Sequence, residues 1–218
     1  MGARTRSFAN LLNTDGTFLS GAINNSSLSS VTDLPTAAKS DLVLISTQTA
    51  SASASISFTS GIDSTYDVYW FVFNNCHPSN IGPNFDFYAS TNGGSSYNTT
   101  VTSTFFAASH NEANSSTSLA YDSGNDEAQT TAGPTIGGSG YADDESNSGI
   151  LQLYNPSSTT YVKHFMSRMA IIHGSYTNES NQTFSAGYFN TTSAINAVKF
   201  QFSAGTIDAG TIAMYGLK

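Results

Sequence analysis

AGYFNTTSAINAVKFQFSAGTIDAGTIAMYGLK, residues 186–218, is the stretch whose alternation decides the fold class. Val198, Phe200 and Phe202 fall on one side of an extended chain, with Lys199, Gln201 and Ser203 on the other. A period of two is the mark of a half-buried strand. Ser203-Ala-Gly-Thr206 and Ile207-Asp-Ala-Gly210 supply turn-forming residues, and Thr211 to Gly216 resumes as a strand. The pattern predicts a closing hairpin whose last strand ends inside its own sheet.

Upstream, the same signals recur. Leu42 to Thr47 is an apolar run rich in β-branched residues, and Ile56 and Phe58 alternate with Ser55, Ser57 and Thr59. Tyr66 to Phe73 is the most hydrophobic segment, apolar on both sides: Val68, Trp70 and Val72 against Tyr69, Phe71 and Phe73. A strand of that kind is expected at the centre of a sheet, covered on both faces. Phe85 and Phe87 alternate with Asp86 and Tyr88, and Asn92-Gly93-Gly94 predicts a hairpin running into residues 97–106. Ile150 to Tyr154 and Tyr161 to Ile172 read as two further strands flanking the Asn155-Pro156 turn. The turn spacing and strand lengths predict an all-β, jelly-roll-like sandwich of about ten antiparallel strands over residues 41–218.

Composition narrows the function classes. Only 10% of the 218 residues are charged, so Ser, Thr, Asn and Gly must cover the surface. Aromatic residues reach 12%, which a disordered polar chain would not carry. The net charge is −8, and Arg4, Arg6, Lys163, Arg168, Lys199 and Lys218 are scattered. A phosphate-tracking surface needs clustered cations, so no nucleic-acid partner is expected. No stretch approaches the ~20 apolar residues of a membrane-spanning helix, and no membrane partner is expected. Residues 1–12, MGARTRSFANLL, lack the apolar run and cleavage site of a signal peptide. Cys76 stands alone, which excludes an intramolecular disulfide.

Two segments break the strand pattern. In residues 1–40, Phe8, Leu11 and Leu12 suit a turn or two of amphipathic helix, ended by Asn13-Thr-Asp-Gly16. Beyond it, Phe18, Ile23, Leu28, Val31 and Leu34 are isolated among Ser and Asn. Such spacing predicts an extended attachment arm whose contacts are Phe8, Leu11, Leu12, Phe18 and Ile23. Residues 110–147 are polar, with Leu119, Tyr121, Ile136 and Tyr141 as the few anchors and Asp122, Asp126, Glu127, Asp143, Asp144 and Glu145 as acids. A connection of that length is expected to be an exposed functional loop or partly stranded.

Three blocks in order, YDVYWFVFNNCHPSN (66–80) leading to FYASTNGGSSYNTT (87–100), SGILQLYNPSSTTYVKHFMSR (148–168) and the terminal block, resemble small structural proteins of tailed phages of marine and freshwater bacteria. The DGTFLSGAI segment (15–23) is similar to the arms by which phage fibres attach. The resemblance implies a jelly-roll sandwich, usually trimeric, on the virion exterior as a tail-fibre tip or capsid decoration. It implies as partners other copies of the chain and other tail or capsid proteins, and no enzymatic activity.

The residues offer little for catalysis. His77, His110, His164 and His173 show no HxH or HExxH spacing and there is no CxxC, so no metal or cofactor is expected. Cys76-His77 places a thiol beside an imidazole, but neighbours on an extended chain point to opposite faces. Asp143-Asp144-Glu145 lacks the alternation of a calcium loop, and no GxSxG elbow is present. The alternative from another class is a carbohydrate-binding module that recognises host-surface glycans through residues 110–147. Tyr97, Tyr121, Tyr141 and Tyr154 lie beside Asn, Asp or Ser, and Tyr121 and Tyr141 are the expected glycan contacts.

Overall fold

The computed structural model describes residues 42–138, 144–173 and 179–218. The described residues form thirteen strands and no helix. They are β1 (Leu42–Thr49), β2 (Ile56–Phe58), β3 (Val68–Pro78), β4 (Phe85–Ser90), β5 (Val101–Asn111), β6 (Thr117–Tyr121), β7 (Ala128–Thr130), β8 (Thr135–Gly137), β9 (Asn147–Tyr154), β10 (Lys163–His173), β11 (Glu179–Phe189), β12 (Ala197–Phe202) and β13 (Ile207–Leu217). The large sheet runs β1-β13-β3-β9-β10-β11-β5-β6, with β7 also on β5, and the small sheet runs β2-β12-β4-β8.

Pairing is antiparallel and nested: β1 with β13, β2 with β12, β3 with β9 and β4 with β8. Each pair encloses the next in sequence, and successive pairs alternate between the sheets. A long hairpin rolled up in this way is a jelly roll. Strands β5 to β7 and β10 to β11 are inserted into that plan, and they widen the large sheet beyond β9. The expected fold is therefore present with more strands than expected.

The terminal segment forms the two strands that its alternation predicts, but they do not pair with each other. β12 lies in the small sheet and β13 in the large one, so Ser203 to Thr206 carries the chain across the sandwich. The Asn92-Gly93-Gly94 turn likewise joins β4 to β5 in different sheets instead of making a hairpin. Turn chemistry specifies a reversal of direction; which sheet receives the next strand depends on long-range pairing.

Phe200 is the hub of the core. Its ring lies 5.0 Å from Phe73, 5.2 Å from Phe71 and 5.4 Å from Phe87, centroid to centroid. Phe58 and Phe85 stand at 6.4 and 6.3 Å. Both sheets thus contribute to one aromatic cluster, mostly edge-on or tilted, as ring quadrupoles favour. Phe87 extends it to Phe165 and Phe189 on the inserted strands.

Beyond β9 the inner side of the large sheet changes character. Register places Ser167, Ser185 and Phe105 in one row, and Met169, Thr183 and Ala107 in the next. Ser167, Ser185 and Thr183 are buried, and the hydroxyls of both serines have no hydrogen-bond partner among the described residues. Thr183 Oγ1 donates to the Ile136 carbonyl at 2.9 Å. Val101, Ser103 and Phe105 of β5 are still buried, whereas β6 is exposed along its whole length, so the large sheet overhangs at that edge.

Candidate functional site

The outward side of the large sheet is built by the alternation that fills the core. Tyr69, Phe71 and Phe73 point inward and are buried, which turns Val68, Trp70 and Val72 outward. The second apolar face of β3 was expected to be covered; in this chain it is left half-buried instead. Register extends it as two rows. One runs Tyr215, Trp70, Gln152, Met166, Ala186 and Thr104; the next runs Ala213, Val72, Ile150, Arg168, Phe184, Phe106 and Tyr121.

This face is apolar, aromatic and almost free of charge. Met166 is 54% exposed and Leu119 74%. Phe106 and Phe184 stack at 4.8 Å with 10° between their planes. Among the described residues of β3, β9, β10, β11, β5 and β6 that face this side, Arg168 is the one carrying a full charge. Its guanidinium lies 5.8 Å from the Phe184 ring centroid. With the Gln182 amide turned to accept, its oxygen takes hydrogen bonds from Arg168 Nη2 and Nε at 2.8 and 2.7 Å. The residue is exposed, but its cation is engaged along the sheet by a ring and an amide. Trp70 Nε1 is buried without a hydrogen-bond partner among the described residues. Isolated apolar residues are normal on a surface, whereas a contiguous patch of several hundred Å² marks an interaction site.

A second feature lies under the overhang. A cleft of about 120 Å³ is floored by inward residues of three adjacent strands: Ile171 of β10, Asn181 and Thr183 of β11, and Phe105 and Ala107 of β5. Its walls are Gly82 and Asn84 before β4, Asp122 and Asn125 in the β6–β7 turn, and Gly137 and Gly138 at the end of β8. A hydrogen-bonded chain organises the wall. Asn84 Nδ2 donates to Asn125 Oδ1 at 2.8 Å, and Asn125 Nδ2 donates to Asp122 Oδ2 at 2.7 Å. The Gly124 amide donates to Asp122 Oδ1 at 2.9 Å.

The expected residues fall in different places. The arm, with Phe8, Leu11, Leu12, Phe18 and Ile23, lies outside the described residues, as does Tyr141. Tyr121 sits at the end of the outward row beside Phe106, exposed, with its hydroxyl donating to Asp126 Oδ2. That bond holds its hydroxyl above the usual tyrosine range. Tyr121 does not line the cleft. Residues 110–147 contain β6, β7 and β8, so the stretch is partly stranded, with β6 and β7 on the large sheet and β8 on the small one.

His164 is exposed on the outward side, 6.1 Å from the Tyr188 ring. Cys76 is buried, and burial pushes its thiol up to about 12, so it stays protonated at neutral pH. Both ring nitrogens of its neighbour His77 are buried without a partner among the described residues. Lys163 is buried, with Nζ donating to the carbonyls of Tyr161 and Thr191 at 2.7 and 3.2 Å, and burial lowers its pKa.

Neither the stacked Phe106–Phe184 pair nor the cleft is signalled by the sequence pattern. Phe106 shows there only as the end of the hairpin arm expected over residues 97–106, and Asn181 and Thr183 lie in a strand without an apolar period. Among the described residues, the fold and the outward face define the class as a jelly-roll sandwich with one open apolar sheet face. Compared with known protein families, curated proteins and solved structures, the chain matches none.

Proposed function

We propose that this protein is a non-enzymatic structural subunit on the exterior of a bacteriophage particle, a tail-fibre tip or a capsid decoration. In this reading it assembles as a homotrimer and docks on other virion proteins through residues 1–40. The observation that carries the reading is the outward face of the large sheet. Six strands from β3 to β6, spaced about 4.8 Å apart, with three to five same-side residues each, span roughly 24 by 20–33 Å. A flat area of that order, enlarged by side-chain relief, approaches the ~800 Å² per partner of a stable interface. With one cation per copy, such a face opposes a like copy with little charge, and burial against a copy would remove its aromatic surface from water.

The composition supports the same reading. A surface of Ser, Thr and Asn makes contacts that salt does not screen, unlike ion pairs. The test is a cryo-EM map of purified particles from cells that produce the protein, with mass spectrometry of the same particles. The expected result is threefold density of this sandwich on the particle exterior, with the outward sheet faces turned toward each other. Particles that lack the chain would overturn the proposal.

A further inference from the structure

We propose that the cleft under the overhang is a binding site for one uncharged sugar ring, entering edge-first, such as the terminal residue of a surface glycan. The inference stands on the cleft alone and does not depend on the particle assignment.

Three observations point to that chemistry. The first is the mixture of groups. Asn84, Asn125, Asn181, Thr183 and Asp122 supply donors and acceptors around a floor that includes Phe105, Ala107 and Ile171. Hydroxyl groups on a carbon ring need both kinds of partner, and the C–H faces between them suit apolar contact. The second is electrostatic. Asp122 is the one ionisable residue among the lining groups, and its two oxygens already accept from Gly124 and Asn125. A net charge of −8 and no lining cation disfavour an anion. A single, already engaged carboxylate is also too little for a divalent cation, which takes several charged oxygens.

The third observation is the uncommitted amide. Asn181 Oδ1 is buried without a hydrogen-bond partner among the described residues, although the side chain lines the cleft and is half-buried. Buried amide oxygens are normally paired, and each exception calls for an explanation. A turn of the amide about its last torsion would present it to an occupant. The Asn84–Asn125–Asp122 chain holds the opposite wall in place, so the site is organised before anything binds. Its volume of about 120 Å³ is the room of about four waters, enough for the edge of one ring but not for a chain of sugars.

The test is a titration of isotope-labelled full-length protein with methyl glycosides of glucose, galactose, mannose and N-acetylglucosamine, followed by NMR. The expected result is millimolar binding of at least one, with shifts centred on Asn84, Asn125, Gly138 and Asn181. Asn181→Ala removes an unpaired group, so it should weaken binding by about tenfold or more, equivalent to about 1.4 kcal/mol, while the thermal midpoint stays unchanged. Gly138→Val provides a second, independent variant. Among the described residues, a Cβ at Gly138 would meet nothing nearer than Ile171 Cδ1 at 3.9 Å, so a side chain there has room to start and reaches toward the cleft floor, and binding should be lost. A glycan bearing the preferred sugar at its end should bind as the methyl glycoside does; binding by the free monosaccharide alone would overturn the glycan-terminus assignment. No shift with any of the four glycosides, shifts centred on Tyr121 and Phe106, or binding unchanged in both variants would overturn the site itself.

Discussion

Asp86→Asn should make the sandwich more stable at neutral pH and abolish a dependence on pH that runs against ordinary acid denaturation. Asp86 points away from the core on β4, yet it is only 7% exposed. Among the described residues, its one hydrogen bond to a side chain comes from Thr135 Oγ1 at 3.2 Å, and the Glu127 carboxylate lies near enough to disfavour a second charge. Burial is the main cause that pushes its carboxyl from 3.8 up to about 6. Above pH 6 the group is ionised in both the folded and the unfolded chain, and the folded state bears the full cost of burying a charge. Below about pH 4 it is protonated in both, and the cost is gone. The protein therefore gains stability as pH falls from 6 to 4. At 1.36 kcal/mol per pH unit, a difference of about two units amounts to ~3 kcal/mol.

The neutral amide of the Asp86→Asn variant would escape that cost, less about 1 kcal/mol or more for an amide N–H left without a partner. The net gain at pH 7.5 is about 1–2 kcal/mol, a rise of several degrees in thermal midpoint for a domain of this size. The assay is urea unfolding of wild type and variant in parallel at pH 4.5, 5.5, 6.5 and 7.5, extrapolated linearly to water. The variant's advantage should shrink by about 2 kcal/mol from the highest pH to the lowest. An advantage that is constant across the series, or a variant that is less stable by a fixed amount, would refute the assignment of a buried, pH-titrating carboxyl.

Other outcomes follow from the same structure. Phe200→Ala removes the ring at the centre of five aromatic contacts and should cost about 3–5 kcal/mol, read as a lowered midpoint in thermal or urea unfolding. Cys76 should resist alkylation by iodoacetamide at pH 8 in native protein and react once urea unfolds it; rapid native labelling would contradict its burial. Met166→Lys places a second cation on the outward face at a position 54% exposed, so the unfolding free energy of the single chain in urea should change by less than about 0.5 kcal/mol while self-association is lost.

The core side of each strand is legible in the residues wherever it is uniformly apolar. In β12 and β3 the inward side is large and hydrophobic throughout, so a period of two survives in the sequence: Phe200 and Phe71 are fully buried as the alternation implies. β11 leaves no such trace because its inward residues include Asn181, Thr183 and Ser185, which give no apolar period to detect. β6 is hidden for a related reason, being exposed along its whole length. The destination of the last two strands is illegible because Ser203 to Thr206 encodes a turn and not a sheet. For the site, the two-sided hydrophobicity of residues 66–73 is the legible signal. Among the described residues its explanation is not a second layer but an open face. The cleft draws on β5, β8, β10, β11 and two turns, a combination that only the tertiary fold brings together.

Whether the outward sheet face is where copies meet can be read from sedimentation velocity of the full-length chain beside Met166→Lys. The expected result is a wild-type species of three times the 22.9 kDa chain mass at micromolar concentration, and a folded single chain for the variant. A wild-type protein that stays a single chain at every concentration, or a variant that associates as well as wild type, would contradict self-association through that face.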